Sequence, residues 1–196
     1  MAKIKIQLNE TKKDSILKNA AMLFRSKGFK ATSVRELADT LGIEAPSLYN
    51  HIGSKAELLQ EICFDIATDY STFMQTIISS SESADIKTKK LIEFHIQKLF
   101  VDFDKVYVAD YEWKQLPKKQ LEEFLIQRKI YENNFVEIIE EGIQKKLFKN
   151  LQPRITVLTI LSAVRGLEFL KSKKNNFTVE VLQQNMVNHL LTGITN

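Results

Sequence analysis

The sequence predicts an all-α fold: an N-terminal three-helix bundle containing a helix-turn-helix, followed by a larger C-terminal helical domain. Three observations predict it. The 196 residues include only 6 Gly and 3 Pro, whereas a sheet-rich fold with many tight turns consumes both. Apolar residues recur at spacings of three and four along most of the chain, the period of a half-buried helix. Two of these runs open with Ser followed three residues later by Glu, the signature of a capping box.

Taken in order, the first helix covers Lys12 to Lys27, with Ile16, Ala20, Leu23 and Phe24 on one face. Gly28 ends it, after the basic Arg25 and Lys27 that suit a helix C-terminus, and Phe29 folds back as the hydrophobic contact beyond the cap. Ser33 with Glu36 opens a second, short helix whose buried stripe is Val34, Leu37, Ala38 and Leu41. Gly42 stops it, and a third helix starts near Ala45-Pro46, proline being tolerated in a first turn. Ser54 with Glu57 opens a long fourth helix to about Ile78. Beyond the polar run Ser79 to Ser83, the pattern predicts helices over Ala84 to Phe103, Pro117 to about Leu147, Pro153 to about Lys174, and Thr178 to Leu191, with a turn at Asn175-Asn176. Asp104 to Leu116 is less regular. The expected division is residues 1–55, an N-terminal arm and three-helix bundle, and residues 56–196, the larger helical domain.

Bulk properties narrow the function. Hydrophobic residues at 44% and charged residues at 27% are those of an ordinary water-soluble chain. No run approaches the 18 or so apolar residues of a membrane span, and no apolar signal segment opens the chain. The single cysteine, Cys63, excludes an internal disulfide and a cysteine-based zinc site. A cytoplasmic protein is therefore expected. The net charge of +4 is uneven: residues 1–55 carry 10 Lys and Arg against 5 Asp and Glu, and residues 56–196 carry 18 against 19. A basic module on a neutral body suits a polyanion partner, although Lys3, Lys5, Lys12 and Lys13 read equally as a solvated tail. Enzyme signatures are missing. There is no G-x-S-x-G, no glycine-rich phosphate loop and no zinc spacing, and Glu93-Phe94-His95 lacks the Glu-x-x-His spacing of a di-metal bundle. No cofactor and no metal are expected.

Val34 to Leu41, a turn at Gly42 to Glu44, and Ala45 to His51 form a helix-turn-helix. The second helix braces the backbone while the third offers its N-terminal side chains to a major groove. Gly42 supplies the positive φ of the turn. Ala45, Pro46, Ser47 and Asn50 are small or polar enough to approach base edges, and Leu48 faces the core.

Residues Ile16 to Phe24, Gly28 to Ala38, Leu41-Gly42-Ile43, Ser47 to Ile52 and Ser54-Lys55 together resemble the TetR (tetracycline-repressor-like) family of transcription regulators, over about a quarter of the chain and without a gap. The resemblance implies that Thr32 and Ser33 meet phosphate at the start of the second helix. It implies that Ala45, Pro46 and Ser47 face the groove, with Asn50 beside them. Tyr49 and His51 would touch the backbone, and Lys55 would pair with a phosphate. Such contacts position the protein and make binding salt-dependent. Ile52-Gly53 replace the usual Phe and polar residue, and Ile keeps the apolar contact.

The same resemblance implies double-stranded DNA with a palindromic operator as partner, a small and mainly apolar effector, and a homodimer formed by the last two helices. The helix from Pro153 agrees, being apolar nearly all round in its first turns. The aromatic and acidic stretch Asp102 to Trp113 reads either as a pocket wall or as a solvated bend. Tyr107, Tyr111, Trp113, Tyr131 and Phe135 are the candidate pocket residues. His95 and His189 stand alone and suit core or surface. A looser similarity of Leu116-Pro117, Tyr131, Ile138 to Ile143 and Leu147 to Arg154 to repressors of acyl-CoA catabolism suggests an acyl or acyl-CoA effector. Arg154, Arg165, Lys171, Lys173 and Lys174 are the candidate cations for its phosphates. An activator of the same family, and a helical interaction module that does not touch DNA, are the competing readings.

Overall fold

The computed structural model describes residues 11–172 and 177–196. Lys3, Lys5, Lys173, Lys174 and the predicted Asn175-Asn176 turn lie outside them. Ten α-helices occupy the described residues: α1 Lys12–Lys27, α2 Val34–Thr40, α3 Ala45–Tyr49, α4 Lys55–Ile78, α5 Ala84–Val101, α6 Phe103–Tyr111, α7 Lys118–Gln144, α8 Pro153–Arg165, α9 Glu168–Ser172 and α10 Val179–Ile194.

Ser33 and Ser54 cap their helices as expected, and Thr11 adds a cap that the sequence reading did not name. Thr11 with Asp14 and Ser33 with Glu36 form reciprocal capping boxes at α1 and α2, and the Ser54 side chain accepts from the Glu57 N–H at α4. Each satisfies backbone donors that a helix start leaves without partners. Gly28 closes α1 at φ +86°, and Phe29 returns edge-on to Phe24 with ring centroids 5.2 Å apart.

Several predicted boundaries move, three of them with a consequence for the packing. The helix expected to reach Phe103 breaks at Asp102, whose φ and ψ of −114° and 41° are not helical. The stretch taken as irregular then re-forms as α6, so the aromatic residues lie on a helix rather than a bend. A bend at Asp102 turns the chain so that α6 packs against both α4 and α1. The helix from Pro153 ends at Arg165, is interrupted at Gly166, and resumes as α9. Finally, α10 continues to Ile194, because the chain end is tied down. Lys149 N–H donates to Ile194 O at 2.7 Å, and the Asn196 side chain donates to Lys146 O at 2.7 Å.

A continuous core runs from the α1–α3 bundle into the larger domain. It includes Phe24, Leu37 and Leu48 at one end, Leu59, Ile62 and Cys63 along α4, and Ile96 and Phe135 at the other end. Helix α4 crosses the expected boundary at residue 55 from its first turn onward, so its buried face belongs to both halves. On α8, Ile155 and Leu158 stay 63% and 50% exposed, and Val181 of α10 is exposed on the neighbouring helix.

Candidate DNA interface and effector cavity

The α2–turn–α3 unit is built tightly. Ile43 N–H donates to Ala38 O at 3.0 Å and Gly42 N–H to Asp39 O at 3.1 Å, with Gly42 at φ +67°. That backbone conformation is one that glycine adopts at no steric cost. Leu48 is fully buried beneath α3, which fixes the opposite face outward. Pro46, Tyr49, Asn50 and His51 are exposed there, Tyr49 by 54%, while Ala45 and Ser47 are half-buried.

Thr32 and Lys55 are placed differently from what the resemblance implies for their side chains. Thr32 is 2% exposed, and its hydroxyl donates inward to Gly28 O at 2.9 Å. The Lys55 ammonium donates to Phe29 O at 2.8 Å and Thr32 O at 2.6 Å, and lies 4.5 Å from the Phe29 ring centroid. It closes the connection between α1 and α2, since those carbonyls have no helical donors. Ser33 is exposed but caps α2. Glu36 sits at that helix start, receiving Lys27 at 2.6 Å and Ser33 N–H at 3.0 Å. Those two donors hold its carboxyl down at about 2. Lys30 and Arg35, which the motif reading passed over, are exposed on the same edge. Arg35 stands in the quoted run Ser33-Val34-Arg35-Glu36, so the motif itself carried the signal.

The larger domain holds a partly open cavity of ≈ 90 Å³ lined by α4, α5, α6, α7 and α8. That is well above the ~10–15 Å³ that one water needs. Its wall is mostly apolar, with Ile66, Leu99, Val106, Phe124, Leu161 and Val164. On one side His95 meets the Tyr131 hydroxyl at 2.6 Å, with Tyr70 4.4 Å from the His95 ring. Burial, helped by the nearby Arg165, pushes His95 down to about 4, so the ring is neutral near pH 7. Burial raises the Tyr70 and Tyr131 hydroxyls well above their usual range. On the other side Asp110 and Arg165 form a loose ion pair, Nε to Oδ2 3.4 Å, beside Arg128, Gln127 and Glu132. Burial raises the Asp110 carboxyl in spite of Arg165 and Arg128 beside it.

Of the five candidate pocket residues, only Tyr131 lines this space. Helix α6 turns Val106, Ala109 and Asp110 inward, and so points Tyr107 and Tyr111 elsewhere. Those two rings lie tilted against each other with centroids 4.6 Å apart, and the Tyr111 hydroxyl donates to Glu168 at 2.8 Å. Trp113 sits behind the wall against Phe124, ring centroids 6.4 Å apart. Phe135, one turn past Tyr131, is fully buried in the core. Sequence reading missed Tyr70, His95, Asp110 and Gln127, because a cavity between five helices has no sequence spacing of its own. Of the candidate cations for phosphates, Arg165 serves the cavity and Lys171 donates to Phe100 O at 3.1 Å, while Arg154 is exposed.

Comparison with known proteins assigns the architecture. Residues 16–62 match the family described as bacterial regulatory proteins, tetR family, and residues 81–194 match the tetracyclin repressor-like C-terminal domain. This chain belongs to the TetR family. It is a helix-turn-helix, tetracycline-repressor-like transcriptional regulator.

Among TetR relatives, the HTH-type transcriptional repressor KstR2 of Mycolicibacterium smegmatis is 29% identical over 140 residues, covering 71% of this chain and 68% of that protein. The IcaR regulator of the Staphylococcus aureus biofilm operon icaADBC is 30% identical over 102 residues, about half of each chain. In structure, the ketosteroid transcriptional regulator KstR2 of Mycobacterium tuberculosis superposes with a TM-score of 0.89 at 21% identity, over 95% of this chain and 96% of that one. AibR, solved with isovaleryl coenzyme A and operator DNA, superposes with a TM-score of 0.79 at 20% identity, over 91% and 97%. At such identities these structures establish the shared TetR fold. Among the described residues no helix is long and apolar enough to cross a membrane.

Proposed function

We propose that this TetR-family chain is a ligand-responsive repressor. A homodimer joined through α8 and α10 presents two helix-turn-helix units to a palindromic operator, and a small, mainly apolar effector entering the α4–α8 cavity releases it. The observation that carries the reading is the arrangement of α6. Its inner face lines the cavity while its first turn holds the DNA-binding domain, through an ion pair between Asp104 and Arg25 of α1. A cavity whose exposed wall is mostly apolar, with Asp110, Glu132, Arg128 and Arg165 balancing in charge, suits an effector, and binding rather than catalysis is its task. Exposed Ile155, Leu158 and Val181 supply an apolar face for a two-fold partner. The AibR complex with isovaleryl coenzyme A supports an acyl or acyl-coenzyme A effector for a cavity of this placement. DNA as partner puts the protein in the cytoplasm. Residues 1–55 act as the DNA-binding domain and residues 56–196 as the effector and dimerisation domain.

Within the interface, Pro46, Ser47 and Ala45 face the bases, Tyr49, Asn50, His51 and Ser33 meet the backbone together with Arg35 and Lys30, and Thr32 and Lys55 hold the frame that aligns them. The test is a mobility shift on the DNA flanking the protein's own gene at two salt concentrations. Saturable binding that weakens with salt, is lost in Tyr49→Ala and in a monomeric Leu158→Glu, and is relieved by short acyl-coenzyme A supports the reading. A folded dimer that shifts no fragment of its own genome overturns it.

A further inference from the structure

Between Asp39 and Lys55, across the turn and the third helix, the only Asp, Glu, Lys or Arg is Glu44. It stands at the start of α3 with its side chain exposed. Its backbone, at φ −74° and ψ 146°, is extended as at other helix starts, and its carbonyl accepts from Leu48 N–H at 3.2 Å. The carboxylate itself caps nothing, and among the described residues it has no hydrogen bond or ion pair. Glu36, at the start of α2, differs in this respect, being held by Lys27 and Ser33.

An unpaired carboxylate is out of place on a surface that meets a polyanion. Near phosphates it weakens binding, and pressed into an interface without a donor it loses its water uncompensated. The N-terminal side chains of a recognition helix are the ones that reach base edges. Beside Glu44 stand Ala45 and Pro46, whose side chains form no hydrogen bonds, and Ser47, which is half-buried. Hydrogen-bonding reach at this end of α3 therefore belongs mainly to Glu44.

Resting on the DNA-interface reading above, we infer that Glu44 sets operator specificity by accepting from the N4 amine of a cytosine in each half-site. A carboxylate only accepts. In the major groove guanine and thymine present acceptors, which repel it. Adenine offers its N6 amine but places the N7 acceptor beside it, whereas cytosine offers its N4 amine alone. Glu44 thus discriminates as much by the bases it turns away as by the one it takes.

The purified dimer of the full chain is used to enrich binding sites from random double-stranded DNA. Affinity for the enriched palindrome is then measured with every base pair changed in turn. The wild type is expected to require cytosine at one position of each half-site, where thymine or guanine weakens binding at least about tenfold. Glu44→Gln moves the preference at that position alone to adenine, because a glutamine amide pairs with N6 and N7 together. Glu44→Ala flattens the preference there and leaves the other positions as they were. Tm stays at the wild-type value in both, since the side chain is exposed. Unchanged base preferences in Glu44→Ala overturn the role of Glu44, including the case in which affinity rises alike for every sequence, as relief of phosphate repulsion produces. An enriched site with no required cytosine overturns it too. Both of these outcomes leave the operator reading standing. A folded wild-type dimer that enriches no sequence removes the operator reading, and the role of Glu44 with it.

Discussion

His95 illustrates how one residue's surroundings set a pH response. Its ring is withdrawn from bulk water and held at about 4 rather than 6.5. Below pH 6.5 the unfolded chain takes up a proton that the folded chain refuses until about pH 4. The contribution is therefore complete above 6.5 and is lost as pH falls through that window, by on the order of 3 kcal/mol at most. Urea unfolding of the wild type and of His95→Gln at pH 7 and pH 4.5 checks this, and the variant loses less stability on acidification. Lys55 teaches a different lesson. Its ammonium bonds two carbonyls of the α1–α2 connection, so Lys55→Met lowers Tm and operator affinity together, by about 1–3 kcal/mol of stability. Tyr49→Ala lowers affinity with Tm unchanged, because its ring is exposed. Parallel Tm and mobility-shift measurements separate the two. The family motif made Lys55 legible as important, but which carbonyls it serves depends on how α1 and α4 come together.

At the scale of elements, starts were more legible than ends. A capping box is local: Ser33 and Glu36 lie three residues apart, and their bonds need nothing else. Ser33→Ala removes a cap worth about 1 kcal/mol, visible as a lower Tm. The break at Asp102 has no such local cause. Residues 84–111 are all compatible with a helix, and the chain turns there because α6 finds its packing on α4 and α1. The α7 C-terminus is likewise tertiary. Leu147 and Phe148 N–H both donate to Gly142 O, and a Cβ on Gly142 lies 2.2 Å from the Phe148 ring. Gly142→Ala is expected to destabilise by about 1–3 kcal/mol through overpacking, measured by thermal unfolding, with operator contacts untouched.

In the whole molecule, communication between cavity and DNA interface runs through two elements. Helix α4 joins the domains in one piece, and α6 touches both. Arg25 of α1 pairs with Asp104 and lies 5.1 Å from the Phe103 ring, and Lys105 reaches Asp65 of α4 at 3.2 Å. An effector that spreads α6 therefore moves α1 as well as α4. Arg25→Met is expected to bind operator and effector nearly as the wild type does, while effector-induced release falls about tenfold, within the 1–3 kcal/mol typical of coupling between sites. Mobility shifts with and without effector give the coupling directly, and unchanged release in the variant removes α1 from the route.

Legible from local spacing alone were the all-α class, most helix starts, the Gly28 and Gly42 turns, and the helix-turn-helix with its outward Pro46 and Asn50. Those depend on residues a few positions apart, and local spacing is what a sequence displays. That Thr32 points inward, that Asp102 breaks a helix, and that α6 aims Asp110 rather than Tyr107 and Tyr111 into the cavity were legible only in the folded molecule. These follow from which faces of five helices converge, and that is settled by burying one shared core, not by any single segment.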